Sequence, residues 1–157
     1  LASSFFKLSN TYPKGINVYG LNENYKTIQE AGYCVALEAQ KSVLKRYSRK
    51  DGTAVAIGNC EFTEEQVKIL ISLNVEIIIA LDEGIDINLV RKECEKFYPI
   101  RKVSYMYDKW GLIQKGSKDS PADMPNKIYE FMKKHRIVYD EQERRLYKDW
   151  LEKQGKN

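Results

Sequence analysis

Apolar residues along the chain form short unbroken runs separated by stretches in which they recur every three or four positions. Tyr33-Cys-Val-Ala-Leu37 and Ile77-Ile-Ile-Ala-Leu81 are apolar throughout. Such runs read as strands covered on both faces rather than strands with one wet side. The first ends directly in Glu38 and the second in Asp82. Ala54-Val-Ala-Ile57, closed by Gly58, and Lys102 to Tyr107 supply two more strands. Between them the spacing predicts helices. Asn22 or Asn24 caps a short helix through Ile28 that Gly32 terminates, and Ala39 to Tyr47 forms another with Val43, Leu44 and Tyr47 on one side. Thr63 followed by Glu64, Glu65 and Gln66 is a capping-box start, and Val67, Leu70, Ile71 and Leu73 give that helix its apolar face. A further helix is expected from about Asn88 to Phe97.

This alternation predicts an α/β domain with a parallel sheet of about four strands, helices on both faces and right-handed crossovers. A Gly- and Ser-bearing loop, Gly111 to Pro125, separates the core from a tail with two helices, Asn126 to His135 and Asp140 to Gln154. Ile128, Phe131 and Met132 are expected to pack on the core. The second helix carries Leu146, Trp150 and Leu151 among mixed charges that read as a solvated face with local ion pairs.

Composition narrows the picture modestly. The 157 residues are 43% hydrophobic and 31% charged, with a net charge of +4. That charge permits a nucleic-acid partner without demanding one. No apolar run approaches the roughly 18 residues of a membrane span, and no secretory layout opens the chain. It starts at Leu1 rather than Met, so a piece of a longer polypeptide is expected. Cys34, Cys60 and Cys94 are odd in number and widely spaced, which indicates neither a disulfide framework nor a zinc site. Reduced thiols in an intracellular setting are expected. His135 stands alone in a basic helical stretch, so histidine-based catalysis is set aside.

In open parallel sheets, functional groups gather at the carboxyl ends of the strands. There the chain places Glu38, Gly58-Asn59, Asp82 and Glu83 with Asp86 close behind, and Asp108-Lys109, followed in the next loop by Lys118-Asp119-Ser-Pro-Ala-Asp123. Each has an ordinary reading. An acid after a strand is often a helix cap, Asp-Ser-Pro is a turn signal, and Lys41 is a solvated lysine. Glu38 is the least ordinary, because a carboxylate at the end of an apolar strand needs a partner. Several carboxylates without histidine are poor equipment for acyl transfer. They suit Mg²⁺, which takes hard oxygen ligands and leaves positions for water and phosphate. Lys41 and Lys118 would meet phosphate as point charges.

The order of these groups resembles the TOPRIM domain shared by DnaG-type primases, topoisomerases, OLD nucleases and small recombination proteins. Leu37-Glu38-Ala39-Gln40-Lys41-Ser42 resembles the E-G/A-x-K form of the first motif in phage primases. Gly58 with Phe62-Thr63-Glu64-Glu65-Gln66-Val67 resembles the primase glycine loop and its T-x-E-Q helix. Ile78-Ile-Ala-Leu-Asp82 matches the third strand, and Lys118 to Asp123 resembles the K-D-P-x-D segment. The likeness spans roughly Tyr19 to Pro125. Three departures stand out: Gly84 lies where the family has its second Asp, Ala39 where it usually has glycine, and Ser42 where many primases have Asp.

The resemblance implies a Rossmann-like TOPRIM domain at 20–125, a lead-in at 1–19 and a C-terminal helical extension at 126–157. It further implies Glu38 as catalytic acid or base, Mg²⁺ (or Mn²⁺) on Asp82 with Glu83 or Asp86, a further acidic motif at Asp119 and Asp123, and phosphate contacts from Lys41 and Lys118. The implied reaction is nucleotidyl transfer that makes RNA primers from nucleoside triphosphates on a single-stranded DNA template. A replicative helicase is the implied partner and the cytoplasm of a bacterium or phage-infected cell the setting, with the fragment inactive by itself. The alternatives are a TOPRIM nuclease or topoisomerase-like cleavage enzyme, a degenerate non-catalytic replication module and a generic flavodoxin-like or receiver-like domain.

Overall fold

A computed structural model describes residues 17–155. Of the lead-in expected at 1–19, residues 1–16 therefore lie outside the described residues. The elements, in chain order, are α1 (Leu21–Ala31), β1 (Tyr33–Leu37), α2 (Gln40–Ser48), β2 (Ala54–Ala56), α3 (Glu64–Ile71), β3 (Glu76–Ile79), α4 (Ile87–Glu95), β4 (Val103–Tyr105), a 3-10 turn (Pro121–Asp123), α5 (Asn126–Lys134), β5 (Ile137–Val138) and α6 (Glu141–Lys153). The sheet order is β2-β1-β3-β4-β5. The first four strands are parallel, as the unbroken apolar runs require. No helix among the described residues is long and apolar enough to cross a membrane.

Successive side chains of a strand point to opposite faces, and each strand feeds two cores. Cys34 and Ala36 of β1 join Ile77 and Ile79 of β3 beneath Ile28, Leu70, Val90 and Phe97. Val35 and Leu37 join Ile78 and Ala80 on the other face, under Val43, Tyr129 and Met132. The capping box expected at Thr63 forms, and its Gln66 is almost fully buried. The Gln66 amide donates to Asn17 O at 2.8 Å and Ile57 O at 2.9 Å, so the cap also locks the loop after β2.

Three local expectations are corrected. Asn22 and Asn24 lie inside α1, which starts at Gly20 in the left-handed region without a side-chain cap. Asn24 is instead buried and donates to Ala54 O at 2.8 Å, because the edge of β2 needs a donor there. Helix α2 buries Ser42, Val43 and Arg46 and leaves Leu44 and Tyr47 exposed. Its inner face meets polar groups: Arg46 stacks 3.7 Å from the Tyr129 ring centroid and pairs with Asp51 at 3.0 Å. Third, the tail is not helices alone. Ile137 and Val138 form β5, antiparallel to Tyr105 and Ser104.

The segment after 125 is tied down by ion pairs. The Arg136 guanidinium donates to both oxygens of Glu76 at 2.8 and 3.1 Å. Glu143 of α6 pairs with Arg91 at 3.0 Å and accepts from the Tyr105 hydroxyl at 2.7 Å. Burial alone would raise the Glu76 carboxyl, but hydrogen bonds from Arg136 and Ser104 outweigh it and hold Glu76 below its ordinary value of 4.5. A depressed carboxyl adds stability above its unfolded value and loses it as pH falls through its folded one. Replacing Arg136 by Ala should therefore cost about 2 kcal/mol in urea denaturation at pH 7. The gap from wild type should close as the pH is taken below 4.5.

Candidate functional site

The carboxyl ends of β1 and β3 are adjacent because β1 sits between β2 and β3 in the sheet. Beyond its last paired residue β1 stays clamped: Gly58 N–H donates to Glu38 O at 2.8 Å, and Ala80 N–H to Ala36 O at 3.0 Å. Glu38 is thus carried past the apolar strand into the rim. Its Oε2 accepts the backbone N–H of Asp82 at 2.8 Å, which is the partner that a carboxylate in this position needs.

The downstream loop is drawn to the same rim by two straps. Glu83 donates its backbone N–H to Asp119 O at 2.8 Å, while its Oε2 accepts from Gly116 N–H at 3.0 Å and Lys118 N–H at 3.4 Å. Asp123 accepts from the Ser42 hydroxyl at 2.9 Å and from Ser120 N–H at 2.8 Å. The second of these bonds belongs to a capping box that starts the 3-10 turn. Ser42, a departure from the common primase residue, thus joins α2 to the turn that carries Asp123.

Asp82 registers the convergence. Burial first, then the charges of Glu38, Asp123 and Asp119, push its carboxyl up to about 6, with Lys41 opposing them. Glu38, Lys41, Asp82, Asp119 and Asp123 therefore share one electrostatic neighbourhood. Lys118 is exposed on the loop that Glu83 holds, at a backbone φ of +60°. Glu83 and Asp86 have other work in this structure. Glu83 holds the loop, and Asp86 caps α4, accepting from Asn88 N–H at 2.8 Å. Gly84 stands at φ +95°, a backbone state that an Asp side chain enters only with strain, so the turn is built for glycine. Asp108 is likewise spent on its own loop, accepting from the N–H groups of Leu112 and Ile113 at 2.9 and 2.7 Å.

Beside Asp82 a cleft of about 610 Å³ opens between the ends of β3 and β4, with Tyr107, Ile113 and Lys115 among its walls. That is the size of a small-molecule site. Ile113 and Lys115 went unread in the sequence because they come from a loop with no period. Ser42 stood out in the sequence only as a departure from the primase motif, and Ser120 was missed, though Ser120-Pro-Ala-Asp123 has the spacing of a capping box and was legible as one.

The donors at the rim are hard oxygens, and their mutual repulsion is what a divalent cation relieves, so the residues fit Mg²⁺ or Mn²⁺. Among the described residues no three acidic, Cys or His side chains form a ready-made ligand cluster. Mg²⁺ commonly takes one or two carboxylates and fills the rest with water and substrate phosphate.

No family model matches the chain, and no curated protein matches it. Solved structures do. A primase from Aquifex aeolicus, comprising zinc-binding and RNA polymerase domains, is similar over 88% of this chain and 30% of its own, at 23% identity and a TM-score of 0.57. A DNA primase domain from Pseudomonas aeruginosa is similar over 81% of this chain and 40% of its own, at 16% identity and a TM-score of 0.64. A DnaG primase catalytic domain bound to single-stranded DNA matches at 16% identity and a TM-score of 0.62, over 81% of this chain and 41% of its own. The chain thus spans less than half the length of each structure described. The mixed sheet with helices on both faces is thus similar in fold to these primase domains.

The raised Asp82 carboxyl sets a test of the rim. Between its ordinary 3.8 and about 6, the folded state keeps a proton that the unfolded chain releases, so stability falls as pH rises through that window. Asp82→Asn should raise the melting temperature at pH 7.5, with the gain gone by about pH 4. Equal gains at both pH values would remove the repulsion from the account.

Proposed function

We propose that this chain is the TOPRIM core of a DnaG-type DNA primase and carries out divalent-cation-dependent nucleotidyl transfer on a single-stranded DNA template. One observation carries the reading. The Glu38 carboxylate is bonded to the amide of Asp82 at a rim where Asp82 also feels Asp119 and Asp123. A bound Mg²⁺ or Mn²⁺ would lie on Asp82 with Asp119 or Asp123 and would supply charge neutralisation to phosphate oxygens. Glu38 Oε2 is oriented by the Asp82 N–H, which leaves Oε1 to take the proton of a primer 3′-hydroxyl. Lys41 and Lys118 face the triphosphate as point charges. The phage-type assignment rests on the motif forms at Glu38 and Lys118 alone.

Calorimetric titration with Mn²⁺ at pH 7.5 should show saturable binding that Asp82→Asn removes. Because the cation displaces a proton from Asp82, affinity should fall about tenfold per pH unit below 6. In primer synthesis from nucleoside triphosphates on single-stranded template, by the polypeptide that carries this chain, Glu38→Gln should lower the rate at least ~100-fold. Unchanged primer yield removes Glu38 from the mechanism, and metal-dependent plasmid nicking in place of primers would make the site a nuclease.

A second reading is a non-catalytic replication module. Glycine at position 84, with Glu83 and Asp86 both bonded to backbone N–H groups, favours it. No Mn²⁺ binding at millimolar metal decides for this reading.

Cys60 offers an independent reporter. Cys34 and Cys94 are buried, and Cys60 is the partly accessible thiol. Burial, then the charges of Glu38 and Glu61, push the Cys60 thiol up. A cation that offsets Glu38 should therefore speed alkylation of Cys60 by iodoacetamide, and the Mg²⁺ effect should vanish in Glu38→Gln.

A further inference from the structure

The loop after β4 presents a group that the catalytic rim does not use. The Asp108 carboxylate accepts from the N–H groups of Trp110, Leu112 and Ile113 at 3.3, 2.9 and 2.7 Å, which bends residues 108–113 into a fixed arch. Ile113 points into the core at 5% exposure, whereas Trp110 is left 37% exposed. Its ring meets Phe131, itself 38% exposed, with centroids 4.9 Å apart. Phe131 in turn lies against exposed His135 at 4.3 Å and an interplanar angle of 36°. Lys109 Nζ sits 5.3 Å from the Trp110 ring centroid.

The surroundings are basic. Residues 108–136 hold seven lysines and arginines against four acids, an excess of three. Lys127, Phe131 and His135 lie four positions apart along α5 and its cap, and Lys134 is three beyond Phe131, so all four share one helical face. A surface for another protein is depleted of lysine at its centre. Exposed rings interleaved with lysines are what a nucleic-acid strand with unpaired bases engages, bases stacking on rings and phosphates meeting ammonium groups. A base-paired helix keeps its bases stacked on one another and offers these rings nothing comparable.

We propose that Trp110, Phe131 and His135 form a stacking platform for single-stranded nucleic acid, with Lys109, Lys127 and Lys134 meeting its phosphates. The cleft links the platform to the rim, since Gly111 and Lys115 of the same loop face Asp82 and Glu83 across it. The inference deepens the primase reading by naming where template is held. It rests on that reading for the course of the strand towards the rim, while the binding itself stands without it.

The test uses the whole chain with Trp150→Phe, which leaves Trp110 as the reporter of the two tryptophans. An oligothymidylate of about 16 nucleotides should quench Trp110 fluorescence. In anisotropy at fixed salt, Trp110→Ala should weaken binding about tenfold, and Trp110→Phe should retain most of it, which separates stacking from a folding defect. Binding of Trp110→Ala and Phe131→Ala at wild-type strength overturns the platform, as does equal quenching by a duplex of the same length. Loss of self-association in Trp110→Ala, with strand binding intact, overturns it in favour of a second copy of the chain. Quenching that persists in a chain binding no Mn²⁺ leaves the platform standing and defeats the primase reading alone.

Discussion

A carboxylate that ends a strand buried on both faces has to be hydrogen-bonded, and the geometry of the rim follows from how Glu38 meets that demand. Its partner is the amide of Asp82, the residue that leaves the neighbouring strand. The bond is available because β1 and β3 are adjacent and parallel, in a register that pairs Ala36 with Ile79. One structural requirement thereby brings two acids from chain segments 44 residues apart to one edge of the sheet.

The two ends of β3 display opposite electrostatics. At its start Glu76 is paired with Arg136 and held below the ordinary carboxylate value. At its finish burial, and then the charges of neighbouring acids, push Asp82 up to about 6. An isolated fold would gain by compensating both. Leaving one end compensated and the other charged against itself is the arrangement expected where a cationic ligand completes the site. The compensated end also shows what the segment after residue 125 does: through Arg136 and β5 it closes the far edge of the sheet and satisfies an acid of the core.

Acids at the rim divide by task. Glu83, Asp86 and Asp108 spend their oxygens on backbone N–H groups and shape the loops that carry the others. Asp123 does both, since Ser42 and Ser120 orient it while its charge still reaches Asp82. With no histidine at the rim, the same residue type both shapes the loops and supplies the charge that reaches Asp82. The Asp108 arch extends the principle beyond the rim, because three amides held by one carboxylate keep Trp110 out of the core.

Strands and helices were legible in the sequence because their signals are local. Unbroken apolar runs mark doubly covered strands, and a capping box such as Thr63 to Gln66 is satisfied within one turn. Glu38 and Asp82 stood out for the same reason, as acids abutting apolar runs. What needed the folded chain was every contact set by long-range pairing. Two residues suffice for β5 because Tyr105 and Ser104 are already in place to pair with them. Arg46 turns inward because Tyr129 and Asn126 arrive from elsewhere. Glu83 and Asp86 carry the same chemical promise as Asp82 on paper. Asp86 is bonded locally, as the cap of α4, whereas the backbone partners of Glu83 exist only once the loop after β4 has folded back over the rim.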